Sequence, residues 1–211
     1  ADMDAMHVPR DFNRVCGTIQ NVIFDDQRPI GIDAALVMVD TSIRNIDPVT
    51  FTWNDANQLN LAGFDLDRPP SFLGGYVQTE ITFDADEGRR IIKCGRSTGL
   101  KRGSLALDGV SVRIHDSALT LHDGFPWMSK KNVVMKGQYI VECSGTPFFD
   151  LGDSGAGVYL VERGGTTLSL VGLAIGLLNE SYCVVTPIKS VLEAFGLGPD
   201  NVLSSEQMEA T

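Results

Sequence analysis

The stretch Gly152-Asp153-Ser154-Gly155-Ala156-Gly157 decides how this sequence is interpreted. It lies between two apolar, strand-like segments, so Ser154 is expected in a loop and not on a helix. Small residues on both sides allow a tight backbone bend and leave the Ser154 hydroxyl exposed. They also allow the N–H groups of Gly152 and Ser154 to point at one spot, where they could hold the oxygen of a tetrahedral intermediate. The alternative is an ordinary glycine-rich turn.

The segments around this loop predict an antiparallel β-protein. From residue 90 onward, strand-like runs and short turns alternate over residues 91–98, 104–107, 110–114, 132–143, 157–162, 168–178 and 182–185. Asp108-Gly109 is a hairpin signal between two of these runs. Such a series favours a closed antiparallel barrel. A short helix follows, with Thr186 as its cap, an apolar face on Ile188, Val191, Leu192 and Phe195, and its end at Gly196.

The part of the chain before residue 88 is less regular. Residues 14–23 and 34–39 are strand-like, whereas residues 41–87 are dense in Asn, Asp, Gly and Pro. We interpret residues 1–87 as a partial N-terminal β-barrel plus a crossover, residues 88–200 as a C-terminal β-barrel with a terminal helix, and residues 201–211 as a tail.

Four motifs in one order resemble the chymotrypsin-like (trypsin-fold) serine peptidases. Gly152-Asp153-Ser154-Gly155 resembles their nucleophile signature, and Cys94–Gly99 with Gly103 resembles the start of their second barrel. Leu170–Gly176 looks like the strand that lines the primary specificity pocket, and Thr186-Pro187-Ile188 resembles the entry to their terminal helix. The resemblance implies an all-β, chymotrypsin-like double β-barrel with an incomplete first barrel and a short C-terminal helix. It covers residues 90–196.

The resemblance also implies catalytic roles. Ser154 would be the nucleophile, and the N–H groups of Gly152 and Ser154 would form the oxyanion hole. Asp33 lies in Gly31–Val39, which resembles the strand that supplies the acid of the triad. There its carboxylate could orient an imidazole. The alternative for Asp33 is an ordinary turn residue.

The specificity pocket would be formed by Phe148, Ala174 and Gly176. Phe148 stands six residues before Ser154, at the position of the pocket floor in this family. A bulky apolar floor would exclude lysine or arginine and favour a small apolar side chain. Alternatively, Phe148 and Phe149 simply pack in the core.

The histidine base is the element that the sequence leaves open. His7 is the only histidine that precedes Asp33, but Met6-His7-Val8-Pro9 does not resemble the family's histidine segment. His115 and His122 lie in or beside a loop of the second barrel, on the wrong side of the family pattern. Two interpretations follow. One is an endopeptidase whose base is His7 or belongs to an N-terminal fragment of the same precursor, and the other is an inactive protein with a binding, regulatory or structural role.

Composition and charge exclude several other classes. The net charge is −10, and a pI near 4.6 argues against nucleic acid as a partner. There is no apolar run of 18 residues, so we expect no membrane span. The four cysteines form no Cys-x-x-Cys pair, and we expect no metal and no cofactor. The expected partner is a peptide or protein substrate, and the sequence does not resolve the compartment.

The first residues bear on how the Ser154 loop is assembled. Some members of the resembled family form an ion pair between a new N-terminus and the aspartate that precedes the nucleophile. Ala1-Asp2-Met3 does not look like the Ile-Val or Val-Val start which that pairing requires. We therefore expect that the Ala1 nitrogen does not contact Asp153.

Overall fold

The computed structural model describes residues 17–40, 64, 71–76, 89–115, 132–143, 147–161 and 167–201. These residues are arranged mostly in β-strands, in two sheets, with one short α-helix and one 3-10 turn. The strands are β1 (Gly17–Asp25), β2 (Ile32–Val39), β3 (Ser71–Tyr76), β4 (Arg90–Gly95), β5 (Gly99–His115), β6 (Asn132–Cys143), β7 (Gly157–Val161), β8 (Thr167–Asn179) and β9 (Tyr182–Pro187). Helix α1 covers Ile188–Ala194, and the 3-10 turn covers Pro199–Asn201. The prediction of an all-β protein with a short helix near its C-terminal end is confirmed.

The larger sheet closes on itself. Its strand order is β3-β8-β7-β4-β5-β6-β9, and β8 also pairs with β9. Strands β4 to β9 therefore form a closed antiparallel ring, while β3 adds to β8 in parallel at the outside. Closure leaves no free edge in this ring, which is how small antiparallel barrels satisfy all their backbone groups.

The barrel interior is filled by one apolar cluster to which every strand of the ring contributes. Because side chains alternate across a strand, each strand sends every second residue inward. The fully or nearly buried members of the cluster are Ile91, Leu105, Val141, Phe148, Phe149, Val158, Leu160, Val171, Ala174, Cys183 and Val185. The two phenylalanines come from the segment before the Ser154 loop, so this loop is fixed to the core at its start.

The two-stranded sheet β1–β2 is tied to the barrel at its connecting turn. The N–H group of Gly31 donates to the carbonyl of Lys136 at 2.9 Å, and the carbonyl of Gly31 accepts from Gln138 Nε2 at 2.9 Å. Gln138 is fully buried, and its Oε1 accepts from Thr186 Oγ1 at 2.8 Å. Ile32, the first residue of β2, is buried against helix α1. These contacts fix where β2, with Asp33, begins.

Two local predictions are wrong. Asp108-Gly109 does not turn the chain, because β5 continues through it and pairs with β6 on both sides, with register shifts between Leu105 and Val112. Gly109 adopts a φ of 61° at this irregularity. A positive φ also suits the turn of a hairpin, but here it accompanies a bulge within β5. Thr186 does not cap helix α1, since it belongs to β9 and its hydroxyl bonds Gln138.

The predicted division at residues 87 and 88 stays a prediction. Strand β3 lies within the 1–87 region but pairs with β8 of the barrel. Most of residues 201–211 and of residues 41–87 fall outside the part of the chain that the structure describes. No helix in the described ranges is long and apolar enough to cross a membrane.

Candidate active site

The Ser154 loop connects the buried phenylalanines to β7 through a compact bend. Gly152 and Gly155 adopt φ values of 99° and 85°, a region that L side chains rarely enter. The Gly155 N–H group donates to the carbonyl of Ala174 at 2.8 Å, and the Ala174 N–H group donates to the carbonyl of Ala156 at 2.9 Å. The glycines of the motif thus permit the bend, and β8 holds its far side. Ser154 itself is exposed.

The backbone donors of this loop divide into two groups. The N–H groups of Asp153 and Ala156 donate within the loop, and those of Asp150 and Leu151 donate to the Asp153 and Asp150 carboxylates. For Gly152 and Ser154, by contrast, no acceptor of the N–H group occurs among the described residues. These are the two donors that the sequence predicted for an oxyanion hole. They remain available to a ligand atom.

Asp153 points into the barrel, away from solvent. Its carboxylate forms an ion pair with Lys93 at 2.8 Å, and both side chains are fully buried. The carboxylate also accepts from the Ser97 N–H group at 2.7 Å and from Thr98 Oγ1 at 2.7 Å. A further bond comes from the Asp150 N–H group at 3.1 Å. The residue next to Ser154 is therefore held from three segments of the chain, namely β4, the turn after β4 and the loop itself.

These contacts determine the charge state of the buried pair. Burial alone would raise the pKa of the Asp153 carboxyl, but the hydrogen bonds from Lys93, Thr98, Ser97 and Asp150 outweigh burial and hold the pKa well below its usual range. Lys93 Nζ donates to Thr98 Oγ1 at 2.6 Å and lies 5.4 Å from the centre of the Phe148 ring. Each charge thus has partners inside the barrel.

Lys93 is not among the site residues predicted from the sequence. It lies between Ile92 and Cys94 in a short apolar strand, where alternation places it on the inner face with Ile91. A lysine at an inward position of an apolar strand indicates a buried carboxylate partner. The sequence does not say which carboxylate, because Asp153 is 60 residues away. Ala1 lies outside the described residues, so the expectation that its nitrogen does not contact Asp153 stays a prediction. Among the described residues, the cation at the Asp153 carboxylate is Lys93.

Gly95 leaves the space that the Asp153 carboxylate occupies. It is on the same face of β4 as Lys93, and a Cβ atom at this position would lie 2.2 Å from Asp153 Oδ1. Any larger residue would displace the carboxylate. This explains in physical terms why Gly95 follows Cys94 in the motif that resembles the start of the second barrel.

The other predicted triad members are not brought together by any contact in the described part of the chain. Asp33 is the second residue of β2, opposite Phe24 of β1. It is exposed, although partial desolvation raises the pKa of its carboxyl. His7 and His122 lie outside the described residues, and His115 ends β5 with a side chain that is not described. The base and the acid of the triad therefore stay predictions.

The residues predicted for the specificity pocket lie mainly in the interior. Phe148 and Ala174 are fully buried members of the barrel core, and Gly176 is half-buried. A cavity of about 520 Å³ lies nearby, and its lining includes Phe149 and Leu177, the neighbours of two of these residues. Phe148 packs in the barrel core. The wider assignment of the pocket stays a prediction.

The three described cysteines are fully or partly buried. Cys94, Cys143 and Cys183 are free thiols. Burial raises the pKa of each thiol, that of Cys183 to about 12, which disfavours the reactive thiolate at neutral pH. Within the described ranges, no group of three or more His, Cys, Asp or Glu residues could hold a metal ion.

Comparison with known proteins finds similar solved structures only. No protein-family model and no curated protein matches the sequence. A glutamic acid specific serine protease matches at 18% identity over 61% of this chain and 52% of that chain, with a TM-score of 0.36. Cellulomonas bogoriensis chymotrypsin matches at 16% identity over 90% and 76%, with a TM-score of 0.45. Thermobifida fusca Protease A matches at 18% identity over 64% and 61%, with a TM-score of 0.38.

The chain spans about half the length of the glutamic acid specific protease that it matches. Because these identities and TM-scores are low, the chemistry of this chain has to be inferred from its own residues.

Proposed function

We propose that this protein is a serine endopeptidase that hydrolyses peptide bonds through an acyl-enzyme on Ser154. The observation that carries the proposal is the pair of N–H groups on Gly152 and Ser154. The neighbouring amides of the loop bond within the chain, whereas these two have no acceptor among the described residues. A pair of fixed donors beside an exposed serine hydroxyl suits the charge that develops on a carbonyl oxygen during acyl transfer.

The proposed reaction assigns one role to each group. The Ser154 hydroxyl attacks the substrate carbonyl while a histidine takes its proton, and the Gly152 and Ser154 N–H groups stabilise the oxyanion. The histidine then protonates the leaving amine, and water hydrolyses the acyl-enzyme. Asp33 orients the histidine. This chemistry calls for no metal or organic cofactor.

The source of the histidine is part of the proposal. It is His7, or it belongs to an N-terminal segment of the same precursor that completes the first barrel over residues 1–87. The barrel of residues 88–200 provides the nucleophile and the oxyanion donors in either case. Intact-mass analysis of native material, with and without denaturant, tests for a second polypeptide that carries this histidine.

Labelling with a fluorophosphonate probe tests the proposal directly. We expect the folded protein to label at Ser154, with labelling lost in Ser154→Ala and after denaturation. Ser190→Ala, on helix α1, is the matched control and should label like the parent chain. Loss of the nucleophile in such a site costs peptide hydrolysis roughly 10⁶-fold.

Absence of labelling in folded material would contradict the proposal. If such material also carries no second polypeptide, the non-catalytic alternative would take its place, because a serine without a base is a poor nucleophile at neutral pH.

A further inference from the structure

The cavity near the Ser154 loop is lined by the two segments that hold this loop and by Cys143 at the end of β6. One wall is Pro147, Phe149 and Asp150, which lead directly into it. The lining also includes Leu177 and Glu180, a few residues beyond Ala174, whose backbone bonds Gly155. Asp150 stands four residues before Ser154, and four residues of extended chain span at most about 14 Å, so the cavity is within reach of a peptide bound at Ser154. Its volume of about 520 Å³ falls within the range of small-ligand sites.

The walls of this cavity are fixed by the fold. Phe149 is almost fully buried in the barrel core. The N–H group of Cys143, at the end of β6, donates to the carbonyl of Ser181 at 2.7 Å, which ties β6 to the turn between β8 and β9. The Asp150 carboxylate accepts from the Leu151 N–H group at 2.7 Å. A ligand would therefore meet a preformed surface.

The chemistry of the lining is apolar on the walls and acidic at two places. Pro147, Phe149 and Leu177 provide the apolar surface, and Asp150 and Glu180 are exposed carboxylates. Among the described residues, the lining includes no lysine or arginine, and no ion pair joins either carboxylate. Long basic side chains have this same division, since an apolar stem carries a cationic end.

We propose that this cavity binds a lysine or arginine side chain of a peptide, which names the substrate class and rests on the proposed function. The stem of the side chain packs against Phe149 and Leu177, and its charged end lies near Asp150 and Glu180. This inference reverses the sequence-based expectation of a small apolar side chain. That expectation placed Phe148 at the pocket floor, whereas Phe148 lies in the barrel core and leaves the acidic residues at the cavity.

Cys143 lines the cavity and allows a test that needs no catalysis. Cationic and anionic methanethiosulfonate reagents of equal size are compared on the native protein, with rates normalised to a free model thiol and modification located by peptide mass spectrometry. We expect the cationic reagent to modify Cys143 roughly tenfold faster than the anionic one, because two carboxylates attract it. Cys94, which is half-buried elsewhere, should show no such preference.

Charge variants show whether the carboxylates cause the preference. Glu180→Gln should reduce the ratio of the two rates several-fold, and the matched control Glu193→Gln, at an exposed position on helix α1, should leave it unchanged. Equal rates in the parent chain, or faster reaction with the anionic reagent, would overturn the proposal.

A binding measurement covers the case in which Cys143 reacts with neither reagent. N-acetyl-arginine amide should bind at least about fivefold more tightly than the neutral N-acetyl-citrulline amide, and Glu180→Gln should remove the difference. Equal binding of the two amides by the parent chain would overturn the proposal.

Peptide substrates then separate this proposal from the proposed function. Faster cleavage of peptides that carry lysine or arginine near the cleaved bond supports both proposals. Cleavage that is no faster than that of peptides with small apolar or acidic residues there overturns the substrate class while the endopeptidase proposal stands. Selective binding of the arginine amide without any cleavage or fluorophosphonate labelling supports the cavity and contradicts the endopeptidase proposal.

Discussion

Replacing Lys93 by methionine removes the cation beside Asp153 and keeps a side chain of similar length in the barrel. The Asp153 carboxylate then stays buried without its counter-charge, because it still accepts from Ser97, Thr98 and Asp150. Removing one partner of a buried ion pair costs roughly 3–5 kcal/mol. We expect a cost near the lower end of this range, since those remaining hydrogen bonds still stabilise the carboxylate.

Urea unfolding of the Lys93→Met variant, followed by circular dichroism, measures this cost. For a chain of this size, each kcal/mol shifts the melting temperature by about 2–4 °C, so a cost near ~3 kcal/mol predicts a decrease of roughly 6–12 °C in a parallel thermal unfolding experiment. The matched control is Lys189→Met, at an exposed position on helix α1, which should change stability by less than about 0.5 kcal/mol. Fluorophosphonate labelling of folded Lys93→Met should also fall, because Asp153 positions the Ser154 loop.

A double-mutant cycle with Asp153→Asn separates the pair from each residue's other contacts. We expect the coupling between Lys93 and Asp153 to be roughly 1–3 kcal/mol. The reasoning is refuted if Lys93→Met is as stable as Lys189→Met, or if the two substitutions are additive. Either result would mean that the buried pair does not hold the loop.

Two further predictions concern the same cluster. Gly95→Ala places a Cβ atom 2.2 Å from Asp153 Oδ1, so this variant should lose fluorophosphonate labelling and unfold at lower urea concentration, whereas Gly109→Ala, with open space around it, should keep its labelling. The pKa of Asp153 is lowered in the folded state, so its contribution to stability is complete above the unfolded pKa of about 3.9 and is lost as pH falls through the folded pKa. Urea unfolding between pH 7 and pH 2 should therefore show that the free energy of unfolding falls below about pH 4, and that it falls less in Lys93→Met. If the free energy of unfolding changed equally with pH in the two proteins, the acid sensitivity would not come from the Lys93–Asp153 pair.

Local patterns predicted much of the barrel. The alternation of apolar residues and the glycine-rich turns located β4, β6, β7, β8 and β9 close to their observed ranges. They located the Ser154 loop as well, because its glycines are needed wherever the backbone enters positive φ. The apolar spacing also located helix α1, since Ile188, Val191 and Leu192 lie on its buried face.

Predictions failed where a distant segment changed the use of a local signal. Asp108-Gly109 is a hairpin signal by itself, but β6 pairs with β5 on both sides of it and continues the strand. Thr186 is a suitable helix cap by itself, but the buried Gln138 accepts its hydroxyl. In both cases, pairing across the barrel outweighs the local preference.

The sequence by itself determined that this chain forms an antiparallel β-protein with an exposed serine in a glycine-rich bend. Both properties depend on side-chain alternation and backbone freedom, which act between near neighbours. Only the tertiary structure decided that Lys93 pairs with Asp153, that Phe148 lies in the core and that Asp150 and Glu180 line one cavity. These relations depend on barrel closure, which brings residues distant in the chain into the low-dielectric interior or onto one surface.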